Sequence, residues 1–402
     1  MLNLITGAAG TGKSFEMMAR IDKAVCENKK VYIIVPDQFN FEYNRLLYNT
    51  IGMEKFNRTE VVSFSRLAKY IFIKHGGLKG KYADDTVRSV VMFRALSALN
   101  AQKALDFYSR QARSQRFIND ALEFVKTFSA NNISPERLAD RTAFLGENIR
   151  RKAEDISLIY SEYSRLLAEY GYKDGHTDIN EAAKKASSAN FFKGIDFFID
   201  EFKSFTPDEY EMLSVMIRDS NSLTVCLTTE DTEPKKFSVF ETVNTTAAKL
   251  IQYAKGSSTP FERIVLTENR RFKYPELEFL SKNILRPVHN KFEGKCEAVT
   301  VYEAAEPYSE ADFVCAEICR LARQGYRYSD IVVMSRQKEN YSSILGAAFD
   351  RCGIPFYSDD KTPAAHKALI IFIQTALKLA SVKNPSTEDF LRYIKTGFTG
   401  LD

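Results

Sequence analysis

The sequence predicts an α/β fold. A parallel sheet carries a phosphate-binding loop, a helical block is inserted into that sheet, and a second α/β unit begins towards the end. Three observations lead there. Leu2 to Thr6 is a short apolar run that leads straight into Gly7-Ala8-Ala9-Gly10-Thr11-Gly12-Lys13-Ser14. Apolar runs such as Val31 to Val35 then alternate with helical stretches, the pattern of parallel strands with covering helices. Between Gly76 and about Asn190 the alternation stops and almost everything reads as helix.

The opening stretch fits G-x-x-x-x-G-K-S/T, placed between a strand and a helix that carries Met17, Met18, Ile21 and Val25 near one face. The glycines let backbone N–H groups converge on one anion, and the helix start adds its positive dipole end. Lys13 would reach the β- and γ-phosphates, and the Ser14 hydroxyl would ligate Mg²⁺. The competing reading is a plain glycine turn before a helix. The four fixed positions arise by chance in roughly one or two of a hundred chains this long, which favours a nucleotide site.

Further strands are expected at Val31 to Val35, Val61 to Phe64, Ile195 to Ile199, Leu223 to Leu227 and Ile264 to Leu266. Helical stripes at Phe117 to Phe128 and Ile156 to Tyr170 mark the inserted block. The second unit is expected to hold strands at Val299 to Tyr302, Ile331 to Met334 and Pro355 to Tyr357, with helices between them. The domain boundaries follow: 1–75 plus 191–290 form the first α/β domain, 76–190 the helical insertion, and 291–402 the incomplete second domain. The stretch from Pro287 to Gly294 is the candidate junction.

Composition sets outer bounds. With 402 residues, 45% hydrophobic and 27% charged, the chain is a globular protein of two to four domains. A net charge of +4 neither requires nor excludes nucleic acid. The six cysteines form no C-x-x-C pair and are expected to be buried thiols, and the four histidines suggest no metal site. The chain opens on a strand, so no signal peptide fits. No apolar run approaches eighteen residues, and a cytoplasmic protein without a membrane span is expected.

A phosphate loop needs a carboxylate at the end of a buried strand to hold Mg²⁺. Asp200, after Phe197, Phe198 and Ile199, meets that description. Glu201 follows, where it could deprotonate a water attacking the γ-phosphate. An exposed acidic pair at a strand end is the competing reading.

Asp200 to Leu213 (DEFKSFTPDEYEML) resembles the D-E-F-Q-D-T-N…Q-Y-E-L-L stretch of UvrD/PcrA-type superfamily 1 helicases. Val35 to Tyr43 stands where those proteins have motif Ia, Val62 to Ala68 resembles motif Ib, and Gly325 to Arg336 resembles motif IV. A closer resemblance is to the AddB/RexB family, the B subunit of bacterial ATP-dependent helicase–nucleases, where the loop also sits at the extreme N-terminus. It covers nearly the whole chain. It implies a P-loop, RecA-like sheet with an inserted 1B-like domain and the start of a 2A-like domain, with ATP and Mg²⁺ as cofactors. It also implies single- or double-stranded DNA ends and an AddA-type subunit as partners, a role in double-strand-break processing and recombinational repair, and no membrane. The family's nuclease domain and iron–sulfur cysteines are expected beyond Asp402.

Departures from full motors matter. Lys203 and Ser204 replace the Q-D pair that couples DNA to ATP. Thr228-Thr-Glu-Asp-Thr lacks the motif III glutamine, and only six residues precede Gly7, leaving no room for a glutamine motif. The resemblance therefore implies an ATP-binding region that supports a partner motor. The alternative is an active UvrD-like helicase. A small-molecule kinase is more remote, because its acceptor site would not need a second α/β unit. In the UvrD-like pattern Arg336 faces the γ-phosphate. Phe39, Phe41, Tyr43, Ser63 and Phe64 are candidates for contact with single-stranded DNA, the rings by stacking on bases, with core packing as the competing role. Lys103, Arg110, Arg113 and Arg116 form a basic stretch that could track phosphates.

Overall fold

The computed structural model describes residues 1–77, 81–131, 133–142, 146–173, 178–230, 238–285, 290–358 and 364–400. The chain divides into two compact units, Met1–Ala298 and Val299–Asp402.

In the first unit, β1 (Leu2–Gly7) runs into α1 (Lys13–Cys26), followed by β2 (Lys30–Ile34), α2 (Asn40–Ile51), the one-turn α3 (Met53–Phe56), β3 (Thr59–Val62) and α4 (Phe64–His75). A helical block follows: β4 (Lys81–Tyr82), α5 (Asp85–Ala101), α6 (Gln115–Ala130), α7 (Pro135–Thr142), α8 (Glu147–Glu169) and β5 (Tyr172–Lys173). Then come α9 (Asp178–Ser188), β6 (Ile195–Ile199), α10 (Pro207–Asp219), β7 (Ser222–Thr228), α11 (Glu241–Gly256), β8 (Phe261–Leu266) and α12 (Pro275–Asn283).

Six strands form one sheet in the order β3-β2-β6-β7-β1-β8, every pairing parallel. All residues of β1 and β6 are buried, as expected of central strands covered on both faces. Two cores cover the sheet. One joins Leu2, Leu4, Phe197 and Leu223 to α4, α9, α10 and α11. The other joins Ile33, Phe198 and Cys226 to α1 and α2. Helix starts are specified locally. Thr206 and Glu209 make a reciprocal capping box at α10 with Pro207 at its first position, and Asp84 caps α5 through the Val87 N–H.

The helical block has a core of its own, built from Met92, Leu96, Phe117, Val125, Ile159 and Tyr163 on α5, α6 and α8. Its buried Asp155 accepts the backbone N–H groups of Asp106 and Tyr108 at 3.1 and 2.8 Å, which ties the loop after α5 to α8. The last helix expected in this block, α9, instead contributes Ala182, Ala183 and Ala186 to the sheet core. Its small residues let it approach α4 and α10 closely.

The second unit contains α13 (Pro307–Arg323), α14 (Lys338–Cys352), α15 (Ala368–Ser381) and α16 (Thr387–Ile394). Ala311, Cys315, Ile318, Ala348, Phe349 and Ile354 make its core. The strands expected at 299–302, 331–334 and 355–357 do not form: among the described residues of this unit no strand pairing occurs. A strand exists only with a ladder partner, and these extended segments do not pair with one another. Val301, Val332, Met334 and Tyr357 are accordingly exposed. Part of the expected junction, 287–289, lies outside the described residues.

The cysteines also depart from expectation. Cys226 and Cys315 are buried, but Cys26, Cys296 and Cys352 are exposed. Among the described residues no helix is long and apolar enough to cross a membrane.

A candidate nucleotide site at the carboxyl edge of the sheet

Strand order alone brings the chemistry together. β7 lies between β1 and β6, so the phosphate loop after β1 and Asp200 after β6 emerge one strand apart at the carboxyl edge. That edge is where open parallel sheets bind ligands. Gly12, with φ +84°, stands just before α1 in a left-handed conformation that glycine adopts without strain. A Cβ there would also sit 2.7 Å from Cδ of Arg270.

Lys13 opens α1 and is only 8% exposed. Its Nζ donates to the Ala8 carbonyl at 2.6 Å, and Thr11 Oγ1 donates to the same oxygen at 2.9 Å. The ammonium is thus folded back into its own loop. Burial pulls the Lys13 pKa down, while the charge of Asp200 works the other way. Ser14 is exposed beside the loop. Behind it, the Thr229 N–H donates to the Gly7 carbonyl at 3.1 Å, fixing the end of β1.

Asp200 is 6% exposed. The Tyr43 hydroxyl donates to its Oδ2 at 3.3 Å and the Glu201 N–H to its Oδ1 at 2.9 Å. The Cys226 thiol, on the intervening β7, also donates to it. Burial raises the Asp200 pKa to about 6, against these donors, which favour the charged form. Burial also pushes the Cys226 thiol up. Glu201 holds φ +68°, a left-handed conformation costly for a non-glycine residue, and its side chain is exposed. The tight turn this makes points the Glu201 N–H back at Asp200.

The raised Asp200 pKa has a consequence for stability. A folded-state value above the unfolded one means that protonation favours the folded state. Stability from this group is therefore complete below the unfolded value, near pH 4, and is lost as pH rises through about 6. Free of Mg²⁺ and nucleotide, Asp200→Asn should remove up to roughly 3 kcal/mol of the difference in stability between pH 4 and pH 7. Urea unfolding of parent and variant at both pH values checks this.

Sequence reasoning missed two site residues. Arg270 and Arg271 lie in the turn after β8, and the Arg270 N–H donates to the Gly10 carbonyl at 2.9 Å. Asn269 shapes the turn, its Oδ1 accepting from the Arg271 and Phe272 N–H groups at 3.0 and 2.9 Å. The Arg270 guanidinium sits 5.5 Å from the Phe15 ring centre, and the Arg271 charge acts on Lys13. The available signal was Asn269-Arg270-Arg271, which follows the expected strand at Ile264 to Leu266 after two intervening residues, since asparagine favours such side-chain-closed turns.

Oxygen donors suit Mg²⁺. One carboxylate, Asp200, and one hydroxyl, Ser14, fit an ion that keeps several waters and takes its other ligands from phosphates. Among the described residues no cluster of three or more His, Cys, Asp or Glu could hold a metal by itself.

Residues 4–281 match the family described as "ADDB, N-terminal". The chain belongs to the AddB family. The match takes in the phosphate loop, Asp200 and the Arg270–Arg271 turn. Along its full length the chain is 30% identical to the B subunit of the ATP-dependent helicase/deoxyribonuclease of Thermoanaerobacter sp. strain X514, covering 35% of that protein. It is 28% identical to the protein of the same name from Clostridium tetani, covering 36%, and 27% identical to that from Acetivibrio thermocellus, again covering 36%. The chain thus spans about a third of the length of these relatives.

Of the residues expected to touch DNA, the structure corrects three. Phe64 is 2% exposed, packed edge-on against Phe202 and Phe205. Ser63 is buried as the cap of α4, its Oγ accepting the Arg66 N–H and lying 3.0 Å from Ser65 Oγ. Tyr43 is buried with its hydroxyl on Asp200. An aromatic residue inside a helical stripe faces the core when it falls on the apolar side, and these do. Phe41 remains on the surface, 77% exposed, and Phe39 is half-buried. Lys103, Arg110 and Arg116 are exposed, and the side chain of Arg113 lies outside the described ones. Arg336 is an exposed residue of the second unit.

Proposed function

We propose that this chain is the ATP-binding, helicase-like region of a helicase–nuclease B subunit that acts on DNA ends in double-strand-break repair, alongside an AddA-type subunit. The observation that carries the reading is the placement of buried Lys13 and buried Asp200 one strand apart at the sheet's carboxyl edge. The loop amides and the α1 dipole bind the β-phosphate region. Lys13 leaves the Ala8 carbonyl and exchanges that hydrogen bond for charge-assisted ones to phosphate. Asp200 and Ser14 hold Mg²⁺, which when bound neutralises phosphate charge. Glu201 is exposed where it can orient a water, and Phe39 and Phe41 offer aromatic surface for single-stranded bases.

The relatives carry the name of the B subunit of an ATP-dependent helicase/deoxyribonuclease, which supports both the assembly with a partner and the DNA substrate. Lys203 and Ser204, in place of the pair that couples DNA to ATP, favour a supporting role over an autonomous motor. Steady-state ATPase with and without single-stranded DNA tests this. ATP is expected to bind with no DNA-stimulated turnover, whereas strong stimulation would assign the chain to the active helicases.

Two arginines take distinct parts in the proposal. Arg271 adds positive charge beside Lys13, so Arg271→Ala should weaken ATP and ADP binding alike, by about five- to tenfold and less at high salt. Arg336 is assigned to the γ-phosphate, so Arg336→Ala should weaken binding of ATP analogues and spare ADP. Calorimetry with both nucleotides reads both outcomes.

A further inference from the structure

Tyr43 stands out among the buried polar groups that the nucleotide reading does not use. It lies on α2, 5% exposed, with its ring in the core formed by Met17, Ile33, Leu47 and Phe198. Such a site suits phenylalanine. The hydroxyl is the only part of Tyr43 that needs a polar partner, and the partner it finds is Oδ2 of Asp200, at 3.3 Å and 157 residues away in sequence. A phenol carries its proton at neutral pH, so this hydroxyl donates to the carboxylate. The helix that carries it is itself tied to the sheet, since Asn40 Nδ2 donates to the Val61 carbonyl of β3 at 3.4 Å.

Asp200 therefore has Oδ1 held by the turn after β6 and Oδ2 by α2, with the Cys226 thiol of β7 as a further donor. Donors on both oxygens fix the rotation of a carboxylate, leaving its remaining lone pairs aimed in one direction. A metal that relies on a single protein carboxylate is sensitive to that orientation.

We propose that Tyr43 is a positioning residue that orients Asp200 for Mg²⁺ in the nucleotide complex. The inference rests on the proposed nucleotide site and on Asp200 as its metal carboxylate. Tyr43 touches neither nucleotide nor metal and acts only through Asp200.

The test measures binding of a non-hydrolysable ATP analogue to the 402-residue chain by calorimetry, across a Mg²⁺ series and in EDTA, for the parent, Tyr43→Phe, Asp200→Asn and the double variant. Tyr43→Phe keeps the ring in its core, and its thermal unfolding midpoint reports whether it remains folded. The expected result is a Mg²⁺ dependence weakened about tenfold in Tyr43→Phe, the scale of one hydrogen bond to a charged group, with binding in EDTA unchanged. In the Asp200→Asn background the same substitution should have no further effect, because its route is already cut. A Tyr43→Phe variant with the parent's Mg²⁺ dependence, or an equal loss with and without Mg²⁺, overturns the role of Tyr43. If Asp200→Asn itself leaves the Mg²⁺ dependence unchanged, the metal assignment beneath the inference fails instead.

Discussion

Lys13→Ala is expected to lower ATP affinity about a hundredfold while leaving the fold intact. The magnitude follows from the site. Lys13 supplies the buried positive charge of the loop, and hydrogen bonds between charged groups contribute about 1.5–3 kcal/mol each, with a factor of ten for every 1.4 kcal/mol. The structural loss is small, because among the described residues the Lys13 side chain makes one hydrogen bond, to the Ala8 carbonyl, a group that Thr11 Oγ1 also satisfies. Circular dichroism and urea unfolding should therefore match the parent closely. Calorimetric titration with Mg·ATP should show the loss.

Phe64→Ala should act in the opposite way, costing about 3–5 kcal/mol of stability, the usual range for a large aromatic removed from a core. Phe64 is packed in the sheet core with Phe202 and Phe205 at ring distances of 5.6 and 5.9 Å. Edge-to-face contacts of this kind add to the burial energy. Phe41→Ala is the contrast. Its ring is on the surface, so stability should change by no more than about 0.5 kcal/mol, and weaker single-stranded DNA binding is the expected effect. Denaturant midpoints and DNA-binding anisotropy on the two variants separate a core ring from a stacking ring. If Phe64→Ala were as stable as Phe41→Ala, the packing described for α4 would be contradicted.

The contrast between these two rings also shows where sequence is informative. Local chemistry was legible: the glycine loop and the apolar run into Asp200 each carry their signal within a dozen positions. So were the central strands, because strands covered on both faces read as continuous apolar runs. What depends on distant partners was not legible. The apolar run Val61 to Phe64 reads as a strand, whereas Phe64 opens α4, and no local pattern says which side of α4 or α2 meets the sheet. The hydroxyl of Tyr43 finds its partner only after β2 and β6 pair. Arg270 and Arg271 reach the loop because β8 lies beside β1, a neighbour relation that no local pattern encodes. In the second unit Ile331 to Met334 has strand composition, yet among the described residues it finds no ladder partner, and Val332 to Met334 stay exposed.

The central claim is that the loop after β1 is a triphosphate site. The most direct measurement is calorimetric titration of Mg·ATP into the unmodified 402-residue chain, repeated with saturating inorganic tripolyphosphate. The predicted result is saturable binding at one site that tripolyphosphate displaces, since the recognised group is the phosphate chain. Absence of saturable binding at millimolar ATP, or binding that tripolyphosphate leaves untouched, would contradict it.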